Sequence, residues 1–160
     1  MRGTALSLAE VADAAGVSKS GLLHHFTTKD DLLRAAVDHS LTRFYDEVML
    51  HVDITENRPG KIMRGYVRAL CGASSVAMHV FAPSTQWGGV VAIPGVDELL
   101  HADAERWREL FARDGLPTDR MLVVRHAAEG VAAAAATPHY LTSAELTAAR
   151  AALLTLAEPD

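Results

Sequence analysis

A chain of 160 residues, 49% apolar and 22% charged, is sized for one globular core or for a small head on a larger body. Its single cysteine, Cys71, excludes an internal disulfide and any all-cysteine metal site, and suits a reducing compartment. No apolar run is long enough to span a bilayer, the N-terminus lacks the apolar stretch of a signal peptide, and a net charge of −5 is not that of a broadly basic nucleic-acid binder.

These features lead to the expectation of a cytoplasmic protein with no membrane partner. Alanine dominates the apolar share and β-branched runs are scarce, so the expected fold class is all-α. Met1 to Leu6 is too short for a helix of its own. Ser7 with Glu10 three residues on is a capping box, and Val11, Ala12 and Ala15 follow at helical spacing. Gly16 supplies a left-handed stop, and Ser18 is a fresh N-cap for a short helix with Leu22, Leu23 and Phe26 on its apolar side. Thr28 caps a third helix with Asp30 and Asp31 in its first turn, where the helix dipole favours acids. Helix, glycine-centred turn and short helix make a helix-turn-helix, whose second helix can enter a DNA major groove.

Leu33, Val37, Leu41, Phe44 and Val48 step by three or four, which extends the third helix from Lys29 to about Val52. Glu56-Asn57-Arg58-Pro59-Gly60 then breaks it. From Lys61 a second periodic stretch carries Ile62, Tyr66, Val67 and Leu70, with Gly72 and Ser74-Ser75 as a break or soft point before Val76 to Phe81, and Ala82-Pro83-Ser84 as its end. Gln86 to Ile93 would permit a strand, but no second candidate exists to pair with it, so it reads as a short irregular helix or loop. Pro94-Gly95 turns the chain into a helix from Val96 to about Gly115, through Leu99, Leu100, Trp107, Leu110 and Phe111. Pro117-Thr118-Asp119 opens the next helix and Thr137-Pro138 stops it; Thr142 with Glu145 is another capping box, starting a last helix striped by Leu146, Ala149, Leu153 and Leu156.

The segment AEVADAAGVSKSGLLHHFTTKDDLL resembles the DNA-binding head of the tetracycline-repressor (TetR) family of transcriptional regulators. The matching signals are Ala15-Gly16-Val17-Ser18, the short helix through Leu22 to Phe26, and Lys29 opening a long helix. Leu23 stands where the family commonly has an aromatic residue. The family's head also begins with a further helix, so the likeness is to a head lacking its first helix. The resemblance implies a head over residues 1–45 and a ligand-binding and dimerisation body over 46–160. It implies a homodimer that grips a palindromic operator and releases it when a small molecule enters the body; repression is the family's commonest mode, and no cofactor is called for.

Carried over residue by residue, the DNA-facing set is Ser18, Lys19, Ser20, Gly21, His24, His25 and Lys29. Ser18 at a helix N-terminus can bond a phosphate oxygen, and Lys19 and Ser20 share the turn of a recognition helix that meets base edges. Gly21 allows close approach, and either histidine or Lys29 can donate to phosphate. The same residues also have plainer roles, Ser18 as a cap and the lysines as solvated charges. His24 and His25, adjacent on a helix, point about 100° apart and cannot readily chelate one metal, so no metal site is expected. Residues 1–50 carry five basic against seven acidic side chains, so position matters here more than total charge.

The implied ligand-binding residues are Met63, Tyr66, Cys71, Met78, His79, Phe81, Trp87 and Trp107, large or adaptable surfaces that serve equally as plain core. No basic cluster calls for a strongly anionic ligand; a small, largely apolar compound with one or two polar groups fits best. The implied dimer interface is His126, Gly130, Ala133, Ala134, Leu146, Ala149, Arg150 and Leu153, on two small-residue helices that would alternatively pack only within the chain. An enzyme is disfavoured, because no nucleophile has a base and orienting acid and Gly88-Gly89 lacks the rest of a phosphate loop. The competing reading is a dimeric small-molecule binder of the same fold without operator binding.

Overall fold

A computed structural model of the chain describes residues 7–72, 74–81 and 90–159, and among these the regular structure is eight α-helices. The first, α1 (Leu8–Ala14), starts on the Ser7–Glu10 capping box: Ser7 N–H donates to Glu10 Oε2 at 2.8 Å and Glu10 N–H to Ser7 Oγ at 3.3 Å. Gly16 at φ 68° turns the chain out of it, a backbone region open to glycine and costly for residues with a Cβ. Next, α2 (Lys19–His25) is capped by Ser18 Oγ, which accepts from Gly21 N–H at 3.0 Å. A long α3 (Lys29–Leu50) begins on a reciprocal pair in which Asp31 N–H donates to Thr28 Oγ1 at 3.1 Å and Thr28 N–H to Asp31 Oδ2 at 3.0 Å. These are the starts and stops expected from the sequence.

Beyond the 51–60 turn come α4 (Lys61–Leu70), α5 (Ser75–Phe81), α6 (Val96–Arg113), α7 (Thr118–Ala135) and α8 (Ser143–Leu156). The chain does break after Leu70, as the glycine and serines suggest. Val90 to Gly95 forms turns, not a strand, with Ile93 N–H on Val90 O at 3.1 Å and Val96 N–H on Ile93 O at 3.1 Å. The expectations for 82–89, including the Pro83 stop and the start of the Gln86 stretch, lie outside the described residues.

The fold divides into two compact units, and α3 and α6 contribute residues to both. The described parts of Met1–His39 and Ser84–Ala102 form the head unit. Its buried apolar residues are Ala12, Leu22, Val37, Val90, Ile93 and Val96. Gly95, at φ 84°, lies so close to α3 that a Cβ there would sit 3.0 Å from Arg34 Cδ. The 90–102 segment is therefore part of the head, which its distance along the chain conceals.

Ser40–Pro83 with Asp103–Asp160 makes the body unit. Its axis is α4, buried at Met63, Arg64, Gly65, Tyr66, Val67, Ala69 and Leu70, and packed by α5, α7 and α8. A helix covered on nearly every side is a core helix. Each large apolar side chain enclosed around it, such as Met63, Leu70, Trp107 or Phe111, stabilises by about 1.5–3 kcal/mol. Gly65 is what lets the chain lie across α4, since a Cβ would fall 2.5 Å from Val52 Cγ2. At the N-terminus of α4 the Asp114 carboxylate accepts from Ile62 N–H at 2.9 Å and Met63 N–H at 2.8 Å, satisfying two otherwise orphan donors.

Candidate functional site

Two surfaces and one interior cluster carry the residues singled out from the sequence. In the head, Ser18, Lys19, Ser20, Gly21, His24 and His25 are all exposed, and Leu22 is the one residue of α2 that is buried. The helix has no acid in its first turn or anywhere along it, so within an acidic chain this short element presents no carboxylate. Ser18 Oγ lies 3.1 Å from Ser20 Oγ while it caps Gly21, so the two hydroxyls hold one another at the helix start. A Cβ on Gly21 would stand 3.1 Å from Ser18 Oγ, which gives this glycine a local reason: it leaves room for the cap. Leu23 is 39% exposed beside this row, an apolar side chain without a polar tip.

His24 and His25 meet edge to face with ring centroids 5.4 Å apart. His25 also lines a head cleft of about 530 Å³ with Phe26, Thr27, Asp31, Arg34, Ala35, Asp38 and Leu99, so the two rings do not serve one surface. Among the described residues no group of three or more histidines, cysteines or acids is placed to hold a metal. Lys29, the first residue of α3, is half-buried. The Thr28 hydroxyl, with help from the Arg34 guanidinium, holds the Asp31 carboxyl below its usual range, so the acid at this corner is ionised and already paired.

The body gathers five of the eight implied ligand residues into one cluster: Met63, Tyr66, Cys71 and Trp107 in the core and Phe81 partly buried against it. Met78 and His79 lie in α5 but their side chains are not described, and Trp87 lies outside the described residues. Tyr66 sits with Trp107 at 5.1 Å between ring centroids, Phe111 at 5.2 Å and Phe44 at 5.7 Å, at the tilted and edge-to-face geometry aromatic quadrupoles favour. Its hydroxyl donates to Glu129 Oε1 at 2.9 Å. Glu129 also accepts from Arg125 Nε at 2.9 Å and contacts His126 Nδ1 at 3.0 Å. Burial works against the Glu129 charge, but the Arg125, Tyr66 and His126 bonds prevail and hold its carboxyl below the usual value. Burial, then the neighbouring Glu129 charge, pushes the Tyr66 phenol well above 10. Cys71 is buried and its thiol is pushed up to about 11 by desolvation, which makes it packing and not a nucleophile.

On the outer side of α7, Leu122 (44% exposed), Val123 (61% exposed), His126, Ala127 and Gly130 form one stripe. A Cβ on Gly130 would meet nothing within 4 Å. The matching stripe on α8, which packs against α7, runs through Ala144, Thr147, Ala148, Ala151, Ala152, Thr155 and Leu156. Of the residues named for an interface, His126 and Gly130 are on this exposed face. Ala133, Ala134, Leu146, Ala149 and Arg150 are half-buried, and Leu153 is enclosed in the body core. The open face of α8 is thus rotated by one to two residues from the Leu146–Leu153 stripe. The small alanines give every side of α8 similar hydropathy, so periodicity did not fix the register.

Sequence reasoning missed Arg64 altogether. It is 1% exposed and donates to Glu56 Oε1 at 2.6 Å, Pro59 O at 3.0 Å and Ala157 O at 2.5 Å. Arg58 spans Glu56 at 2.6 Å and Glu158 at 2.7 Å at the same place, fastening the end of α8 to the start of α4. The signal available in the sequence was only an arginine in a helix otherwise read as apolar on one side.

Residues 2–36 match the family model described as bacterial regulatory proteins, tetR family, and residues 60–158 match one described as tetracyclin repressor-like, C-terminal domain. No curated protein and no solved structure matches the chain. Among the described residues no helix is long and apolar enough to cross a membrane.

Proposed function

The chain belongs to the tetR family of bacterial regulatory proteins, a family of transcriptional regulators, and from that premise we propose that it is a ligand-responsive regulator which binds a palindromic operator as a homodimer and leaves it when a small molecule enters the body. The observation that carries this reading is α2: a capped seven-residue helix with Ser18, Lys19, Ser20 and Gly21 exposed in or next to its first turn and no acid among them. That is the chemistry needed to bring backbone N–H groups and hydroxyls to phosphate and one lysine to the groove.

Dimerisation is supported by the α7–α8 face, whose exposed Leu122, Val123, Ala127, Ala151 and Leu156 would otherwise remain in water. A two-fold dimer carries two copies of α2, which matches an operator of two half-sites related by a dyad. Ligand response is supported by the aromatic cluster around Tyr66 and Trp107, with the adaptable Met63 beside it. Repression, as opposed to activation, is carried over from the family's commonest mode.

A footprint on DNA spanning the promoter of its own gene tests the reading. Expected is protection of two half-sites related by a dyad, centred about 10 base pairs or a multiple apart. Absence of any protected site at low salt would sink operator binding and leave the dimeric small-molecule binder as the surviving alternative.

A further inference from the structure

The cleft of about 530 Å³ in the head unit plays no part in the function proposed above, yet its size is that of a small-molecule site. One wall is a single face of α3, where Asp31, Arg34, Ala35 and Asp38 recur at helical spacing. The end of α2, continued by Phe26 and Thr27, forms another, and Leu99 of α6 closes the third side. All of these residues belong to one compact unit.

The charges of this lining do not balance. Asp31 is committed at both oxygens: one accepts from Thr28 N–H at 3.0 Å and from Thr28 Oγ1 at 2.8 Å, the other from Arg34 Nη2 at 3.1 Å. That bond also occupies the one arginine of the lining, which holds no lysine. Asp38, one turn farther along α3, has no hydrogen bond or ion pair with any described residue. With His25 neutral, two carboxylates face one guanidinium, a net charge of −1 that resides on Asp38. The α2 helix also ends at this cleft, and a helix C-terminus favours positive charge. An anion would have to draw Arg34 away from Asp31 and would then face Asp38. A purely apolar molecule would take water from the Asp38 carboxylate and return nothing. A cation carried on an apolar body answers both the carboxylate and the apolar walls of Phe26, Ala35 and Leu99.

We propose that this cleft is a small-molecule site of the head, distinct from the aromatic cluster of the body, and that it takes an organic cation with an apolar body. The ammonium donates to Asp38 while its hydrocarbon part lies against Phe26, Ala35 and Leu99. Asp31 and Arg34 stay paired as the floor between them. His25 is both a wall of the cleft and one of the DNA-facing candidates, so occupancy is felt at α2 itself.

Three probes built on one ring system separate the ligand classes by charge: 2-naphthylmethylammonium, 2-naphthylmethanol and 2-naphthoate. Binding to the ¹⁵N-labelled full chain at neutral pH is followed through backbone amide shifts. Expected is saturable binding of the ammonium, about two- to fivefold tighter than the alcohol, with the naphthoate weakest and the shifts centred on residues 25–38 and Leu99. The margin over the alcohol should shrink as salt is added. Asp38→Asn should abolish that margin, whereas Asp30→Asn, which removes an exposed acid of the same helix outside the lining, should leave it intact. Equal loss in both variants would trace the effect to the chain's overall negative charge and overturn the site. Equal affinity for the three probes, or no binding of the ammonium, would overturn it as well. Shifts centred on the body cluster would overturn the head site while supporting the body as sensor, so the two readings fail separately.

Discussion

Arg64 is the residue on which the body's closure depends most. Its guanidinium is enclosed and reaches Glu56 and two backbone carbonyls, that of Pro59 nearby in the chain and that of Ala157, 93 residues away. Removing one partner of such a pair leaves the other stranded, so Arg64→Met should lower unfolding stability by about 3–5 kcal/mol in urea titrations. Arg64→Lys should recover only part, because a single ammonium cannot fork between carboxylate and carbonyl. Burial opposes the charge on Glu56 and on Glu129, but the arginine bonds win in both and hold the two carboxyls below 4.5. A lowered folded-state pKa stabilises above the ordinary carboxyl value and is lost as protons are forced on. The urea midpoint should therefore hold from neutrality to about pH 4.5 and fall below it. At the other extreme, the raised Tyr66 phenol keeps its proton in the fold, so stability should also decline as pH climbs past 10. Cys71, buried with its thiol pushed up to about 11, should react with a disulfide reagent at mildly alkaline pH only as fast as the chain opens. Prompt labelling of the native protein would contradict its place in the core.

At the scale of elements, the sequence was most readable where a side chain acts on its own backbone. Ser7, Ser18 and Thr142 each cap the helix they were expected to cap, and Gly16 and Gly115 stop theirs at positive φ, because these signals are local. Ser18→Ala should accordingly cost about 1 kcal/mol. Less readable were the faces that helices turn to one another. Alanine-rich α8 offers nearly equal hydropathy all round, so the open stripe through Ala148, Ala151 and Ala152 could not be told from the inward one holding Leu153. Arg64 was hidden because charge normally marks the wet side of a helix, and only its distant partners make it an inside residue. If the open stripe is the dimer surface, a carboxylate at Ala151 or Val123 must be desolvated on association. Ala151→Glu and Val123→Glu should each weaken dimerisation by about tenfold or more in sedimentation equilibrium while melting as helical monomers. An unchanged dimer in both variants would move the interface elsewhere.

For the molecule as a whole, the all-α class and the order of helices were legible from caps, stops and periodicity, and the family from the Ala15–Phe26 turn followed by a long helix. The composition of the head was not: Val90, Ile93 and Val96 are buried in the same unit as Leu22 and Val37 although about fifty residues or more separate them in sequence. Non-local packing of this kind leaves no periodic trace. Net charge averages over the local pattern, since an acidic total of −5 coexists with an α2 that carries lysine and histidines and no acid. What decides the account is whether α2 meets DNA. The most direct measurement is the salt dependence of operator affinity, by fluorescence anisotropy on a labelled promoter fragment, for the unmodified chain and for Lys19→Ala. Expected is a linear fall of log affinity with log salt, with Lys19→Ala weaker at every salt and its slope shallower by about 1. Lys19→Ala matching the parent in both affinity and slope, or no saturable binding at any salt, would contradict it.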